Sequence, residues 1–369
     1  MKPRLLQWLA CPLCRSDLRL EGERIENGEV AEGRLACVSA SCRAQYPIID
    51  FIPRLLPDVT ARENLRANYA ASFGFQWNSF DWERPEDQEE YFQITDLTPD
   101  DLRGKVIVDA GCGGGRFMKY VGEHAAELIG FDYSVAIDKA RALAGRWPST
   151  HFIQGDVHHP PLKNAICDLL YSHGVLHHTP DTRRGFQALV PLVREGGDCY
   201  VAVFRRTVWP LRTLDTTLRA LVNRLPYPAI NAFCSVLCVL GSIPGVRKLH
   251  RVIWFSRQKN WEVRQCCNFD WYAPRYHHEH DIAEVKGWFE AAGFRSIRYI
   301  NGWPLAKGDF KYREDLSWSE RAWHAGLVGV MGRGKVRVDA PRQAASYRTE
   351  ANVVGATAAP PQRSPARGR

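Results

Sequence analysis

The stretch Val106-Ile107-Val108-Asp109-Ala110-Gly111-Cys112-Gly113-Gly114-Gly115-Arg116-Phe117 constrains this chain more than any other part of it. An apolar run ends in an acid, glycine recurs at 111, 113 and 115, and an amphipathic segment follows. That order reads as a buried parallel strand, a tight turn and a helix start. Glycines in alternation let the backbone take positive φ and let a ligand approach the main chain without Cβ clashes. The spacing is not G-x-G-x-x-G, and no Lys-Ser/Thr follows. The dinucleotide fingerprint and the phosphate-binding P-loop are thereby excluded.

The surrounding sequence repeats the strand–helix alternation. Strand-like runs fall at Val106–Asp109, Leu128–Asp132, His151–Gly155, Cys167–Ser172 and Asp198–Phe204. Helix-like segments separate them at Arg116–Gly122, Val135–Arg146 and Thr182–Val193. Such alternation predicts an α/β fold with a parallel sheet that binds ligands at the strand C-terminal ends. The first three strands end at or beside an acid: Asp109, Asp132 and Asp156. A lone acid after a strand is usually a turn residue, but three at successive strand ends beside a glycine-rich turn are hard to obtain by chance.

The pattern D-x-G-x-G-x-G resembles motif I of class I S-adenosylmethionine (SAM)-dependent methyltransferases. The resemblance spans roughly residues 105–205 and implies a Rossmann-like methyltransferase sheet with SAM as cofactor. By that resemblance Asp109, Gly111, Cys112, Gly113 and Gly115 hold the methionine end. Asp132 and Tyr133 take the ribose, where a carboxylate can pair with two hydroxyls and repel a phosphate. Asp156 and Val157 take the adenine, and Ser172 and His173 line the methyl-donor cavity. His177-His178 stand where the family commonly carries L-H-H, which implies a cavity-lining or structural role. Phe73-Gly74-Phe75-Gln76-Trp77 resembles a lead-in that often lies over the cofactor. Trp288-Phe289-Glu290-Ala291-Ala292-Gly293-Phe294 resembles the family's last helix–strand unit. No Asn/Asp-Pro-Pro-Tyr-like sequence follows the fourth strand, which weakens methylation of a base or glutamine amine. No general base is assignable.

The N-terminal region is a different unit. Cys11-Pro12-Leu13-Cys14 and Cys37-Val38-Ser39-Ala40-Ser41-Cys42 are two Cys pairs separated by 22 residues. Four thiolates so spaced can meet around one tetrahedral Zn²⁺, which would supply folding free energy that a core this small cannot. With Tyr46-Pro47-Ile48-Ile49-Asp50-Phe51-Ile52-Pro53, the motif resembles the zinc-ribbon family that includes the activator subunit of tRNA and protein methyltransferases. That resemblance implies a ribbon that docks on a methyltransferase and stabilises it, here fused in cis. The start, Met1 to Cys11, is faintly like a lipoprotein signal, but the run Leu5–Ala10 is too short for one. Eleven cysteines, an odd count with four of them in close pairs near the N-terminus, suit a metal and reduced thiols. A cytoplasmic setting is expected.

The expected organisation is a zinc ribbon at 1–57, a helical connector or cofactor lid at 58–104, a methyltransferase domain at 105–315 with a helical insertion at 207–258, and a disordered tail at 334–369. In the insertion, Leu211, Leu214, Leu218, Leu221, Val222 and Leu225 share one helical face, and the apolar run Ala232–Ile243 follows. Twelve residues are too few to span a bilayer. The insertion is read as a buried helix or substrate lid, with a membrane-surface element serving a lipid substrate as the alternative. The apolar insertion favours a small-molecule or lipid-like acceptor. The net charge of +8 is diluted over 369 residues and marks no nucleic-acid groove. tRNA or protein methylation, suggested by the ribbon's relatives, and a non-catalytic SAM-binding scaffold remain the other readings. His277-His278-Glu279-His280 is expected to be a solvated loop, with His280 nearest the substrate.

Overall fold

The computed structural model describes residues 1–57, 72–77, 79–80, 87–206, 208, 211–246, 249, 253–256, 258–301, 312–315 and 326–336. Most of the 58–104 connector before residue 87, and the tail beyond 336, lie outside the described residues.

The central strands are β5 (Val106–Ala110), β6 (Glu127–Asp132), β7 (Thr150–Gly155), β8 (Cys167–His173) and β9 (Val193–Phe204). They run parallel in the order β7-β6-β5-β8-β9. Their burial follows from their composition: β8, Cys-Asp-Leu-Leu-Tyr-Ser-His, is buried at every position but the last. Strands covered on both faces read as near-continuous apolar runs. Alternation then sorts the side chains by face. Val108 and Ala110 enter one core layer, while Ile107 enters the opposite one.

Two further strands, β10 (Phe294–Asn301) and β11 (Leu327–Lys335), complete that edge. The antiparallel strand lying against β9 is β11, with β10 outside it. β11 falls beyond the 105–315 boundary expected from sequence. Its run Leu327-Val328-Gly329-Val330-Met331-Gly332 carries two glycines, and neither has room for a side chain. A Cβ at Gly332 would lie 2.4 Å from the Phe289 ring.

At the opposite edge, β1 (Leu18–Glu26), β2 (Glu29–Cys37) and β3 (Gln45–Ile49) form an antiparallel unit that turns into β4 (Ile52–Leu55). β4 then pairs in parallel with β7, Arg54 opposite Gln154 and Leu55 opposite Gly155. The N-terminal unit and the parallel sheet thus make one eleven-stranded sheet. They also share a core: Leu9, Leu18, Leu35 and Tyr46 belong to the same buried cluster as Ile129 and Ile153. Arg15 seals the seam by donating to the carbonyls of Pro160 and Leu162, 2.5 Å each.

The helices are α1 (72–77), α2 (Asp87–Thr95), α3 (Pro99–Leu102), α4 (Met118–Val121), α5 (Ala136–Ala144), α6 (Thr182–Leu189), α7 (Leu211–Val222), α8 (Tyr227–Ser242), α9 (Trp261–Tyr272) and α10 (Ile282–Ala291). α4 is a single turn, much shorter than the Arg116–Gly122 helix read from sequence. Helices α7 to α9 build a separate cluster in which Val222, Ile230, Cys234 and Leu237 pack with Phe269, Trp271 and Tyr272.

Candidate functional site

The glycine turn folds as its spacing requires. Gly111, Gly113 and Gly115 have φ of 84°, 51° and 79°, values that strain any residue with a Cβ. Space enforces the same choice. A Cβ at Gly111 would sit 2.4 Å from the Val175 side chain, and one at Gly113 would sit 2.9 Å from the Trp77 ring. Trp77, on α1, therefore rests on the turn itself, where the Phe73–Trp77 resemblance expected a cover.

Asp132, at the end of β6, ties the turn down. Its carboxylate accepts from Gly113 N–H at 2.9 Å and from the Ser134 N–H and hydroxyl at 2.8 and 2.6 Å. Burial raises its pKa above the usual carboxylate range, against those hydrogen bonds. Asp156, after β7, accepts from His158 N–H at 2.9 Å and lies 3.1 Å from His159 Nδ1. Burial pushes its pKa up, but these partners more than offset it and hold the carboxyl below its ordinary value.

Asp132, Tyr133, Asp156, Val157, His158 and Gly111 line one cleft, closed by Val175, Thr179 and Pro180. Five of the residues singled out from sequence (Gly111, Asp132, Tyr133, Asp156 and Val157) therefore meet in a single cavity. Gly113 and Gly115 contribute backbone beside it. Cys112 lies buried behind the turn, its sulfur facing Gly130. Ser172 is buried and donates to the Ala110 carbonyl at 2.8 Å. The His173 ring is stacked on Tyr200, and burial followed by the Arg116 charge lowers its pKa to about 3. Asp109 sits beneath the turn and accepts from Tyr171 OH at 2.5 Å. Burial, opposed by that hydrogen bond, raises its pKa to about 7. The charged form of Asp109 is thus held at a cost that a neighbouring cation would offset.

The histidines are placed differently from the solvated loop expected. The 277–280 segment is folded into the protein: His278 N–H donates to the His177 carbonyl at 2.9 Å and His280 N–H to the Phe204 carbonyl at 2.8 Å. The His277 side chain is 3% exposed, and burial drives its pKa far down. His177 stacks on Phe204 at 3.7 Å and accepts from the Phe204 N–H. His178 makes the opposite choice of ring nitrogen. Its Nδ1 lies 3.0 Å from the Tyr276 carbonyl, which can only accept, so Nδ1 carries the proton and Nε2 the lone pair. That Nε2 is buried without a hydrogen-bond partner among the described residues, 3.8 Å from the Asp270 carboxylate. Gln76 of α1 donates to Asp270 at 3.3 Å, and Phe73 packs on the His178 ring. Phe73 and Trp77 are one helical turn apart on α1, so the helix bridges from His178 to the glycine turn. Nothing in the sequence linked residue 178 to Tyr276 or Asp270, about ninety positions away.

The four cysteine sulfurs converge at the N-terminal end. All lie within 4.8 Å of one another, with Cys14–Cys37 at 3.3 Å and Cys11–Cys42 at 3.8 Å. Four ligands at the Zn–S length of about 2.3 Å stand about 3.8 Å apart in a tetrahedron, so the set fits zinc with little adjustment. Both knuckles turn alike: Arg15 and Arg43, each just past the second cysteine of its pair, take φ of 69° and 53°.

The glycine turn thus stands beside acids at three adjacent parallel strand ends. Residues 108–201 match the family model described as a methyltransferase domain, and this part of the chain is a methyltransferase domain. The chain is similar to the ubiquinone biosynthesis O-methyltransferase of Cronobacter sakazakii, 28% identical over 28% of this chain and 44% of that protein. It is similar to the tRNA U34 carboxymethyltransferase of Proteus mirabilis, 29% identical over 30% of this chain and 32% of that one. It also resembles the phthiotriol/phenolphthiotriol dimycocerosates methyltransferase of Mycobacterium tuberculosis, 29% identical over 34% of this chain and 48% of its relative. The chain spans less than half the length of these relatives.

Proposed function

We propose that this chain is a SAM-dependent methyltransferase acting on a small-molecule or lipid-like acceptor, with a structural Zn²⁺ held by Cys11, Cys14, Cys37 and Cys42. The observation that carries the reading is the convergence of Gly111, Asp132 and Asp156 on one cleft within the methyltransferase domain. In this reading Asp132 and Tyr133 hold the ribose, Asp156 and Val157 the adenine, and the turn Gly111–Gly115 with buried Asp109 the methionine end. Cys112, Ser172 and His173 shape the floor of the site. The eleven cysteines, none in a disulfide among the described residues, go with a reducing, cytoplasmic setting.

SAM, held by the Gly111–Gly115 turn, Asp132 and Asp156, would supply an electrophilic methyl carbon on a sulfonium, with the C–S bond electrons passing to sulfur as the acceptor's lone pair bonds to that carbon. The protein's part is alignment and exclusion of water, which α1 provides by closing Trp77 on the turn. A hydroxyl or amine acceptor must also lose a proton. His178 Nε2 takes it, because Tyr276 fixes the tautomer and Asp270 stabilises the cation that forms. His178→Asn is expected to lower kcat by roughly 100-fold while SAM affinity stays unchanged. A kcat within a few-fold of wild type refutes this role. The acceptor is sought with labelled SAM against cell extract fractionated into lipid, RNA, protein and small molecules. Label in the lipid or small-molecule fraction supports the reading, and label confined to RNA or protein overturns the acceptor class.

A further inference from the structure

Helix α8 is apolar on both sides. Its inner face, Ile230, Cys234, Leu237 and Cys238, is buried in the insertion's own core. Its outer face repeats at i, i+4, i+7 and i+11: Ala232, Val236, Val239 and Ile243 all face solvent, Val236 at 58% and Val239 at 50% exposure. A helix apolar all round belongs inside a core or against lipid. At 16 residues α8 is too short to cross a bilayer, and no described helix is long and apolar enough to do so. Helix α7 carries a matching outer stripe, Leu214, Leu221 at 60% exposure, and Leu225 just past its end. Scattered single apolar residues on a surface need no explanation, but two spaced stripes in one insertion do.

Charge decides what covers them. Residues 207–258 contain seven basic residues against one acid, Asp215, and so hold six of the chain's net eight positive charges. At the α7–α8 turn an open groove is lined by Arg224, Leu225, Tyr227 and Arg275. Arg224 and Arg275 are exposed and have no carboxylate partner among the described residues. A second copy seated on this groove would bring its own Arg224 and Arg275 against these two, which repulsion opposes. An anionic surface with an apolar interior satisfies both the arginines and the stripes.

We infer that the outer faces of α7 and α8 dock on an anionic phospholipid surface, with Arg224 and Arg275 seating headgroup phosphates and Leu221, Val236 and Val239 entering the acyl boundary. The inference rests on the lipid-like reading of the acceptor and places the enzyme where such an acceptor resides. The test is sedimentation of the full chain with phosphatidylcholine vesicles, with and without phosphatidylglycerol. Binding is expected only with phosphatidylglycerol and is expected to fall as salt is raised. R224E/R275E and L221D/V236D should each weaken it by about tenfold or more, with unchanged SAM binding showing that both variants are folded. Absence of binding to the anionic vesicles overturns the inference, as does equal binding by the variants. A wild-type dimer that L221D/V236D dissociates, with no vesicle binding, overturns it in favour of a second copy. Vesicle binding by a protein that fails to bind SAM would leave this docking intact and remove the cofactor reading alone.

Discussion

Replacing Asp132 by alanine is expected to weaken SAM binding by roughly 100-fold. In the proposed site its carboxylate takes the ribose hydroxyls, and hydrogen bonds to a charged acceptor contribute about 1.5–3 kcal/mol each. A loss of about 3 kcal/mol corresponds to that factor. The side chain also holds Gly113 N–H and caps the turn at Ser134, so alanine frees the glycine turn as well. Asp132→Asn separates the two effects, because the amide oxygen can keep the Gly113 bond while the charge is lost. Asn is expected to fall between wild type and alanine. Calorimetric titration with SAM measures both, and an alanine variant that binds as wild type does would remove Asp132 from the cofactor site.

Loss of the N-terminal metal should unfold more than the ribbon. Cys14→Ser is expected to lower zinc content from about one per chain to near zero. It is also expected to lower the melting temperature of the whole chain by about 10 °C or more, since structural zinc contributes several kcal/mol to folding. The reason for a global effect is physical continuity. β4 extends the parallel sheet through β7, and the strand so covered, β7, leads directly to Asp156 in the cleft. Ribbon and sheet residues occupy one core. SAM binding should therefore weaken in the variant even though no ribbon residue lines the cleft. Metal analysis and thermal melts with and without a chelator check this. A chelated protein that melts unchanged would show the four thiols to be unliganded.

How much of this was legible in the sequence depends on distance along the chain. The glycine turn, the strand-end acids and the four cysteines were readable because each signal lies within a few residues and local geometry dictates it. Gly111 needs positive φ, and a Cys pair needs a tight knuckle. The brevity of α4 was less readable, since Gly122 at its end is fixed by distant neighbours: a Cβ there would lie 2.7 Å from Thr150 and 2.9 Å from Trp147. Long-range pairings were not legible at all. The β4–β7 pairing, the β9–β11 pairing and the burial of His277 against the end of β9 each depend on segments about 70 or more residues apart meeting in space. His277-His278-Glu279-His280 is polar in sequence, so hydropathy assigned it to solvent. The fold instead roofs the β8–β9 end with it through backbone bonds to His177 and Phe204. Ser172 and Cys112 illustrate the converse. Family resemblance puts them at the cofactor, while their own hydrogen bond and burial make them part of the wall.

Titration of the purified chain with SAM tests the proposed cofactor cleft beside the glycine turn most directly. Saturable binding at one SAM per chain is expected, with no comparable binding of NAD or ATP, because the glycine spacing is neither the dinucleotide fingerprint nor the phosphate-binding P-loop. Absence of SAM binding by a folded, zinc-replete protein, or tighter binding of either phosphate-bearing nucleotide, would contradict it.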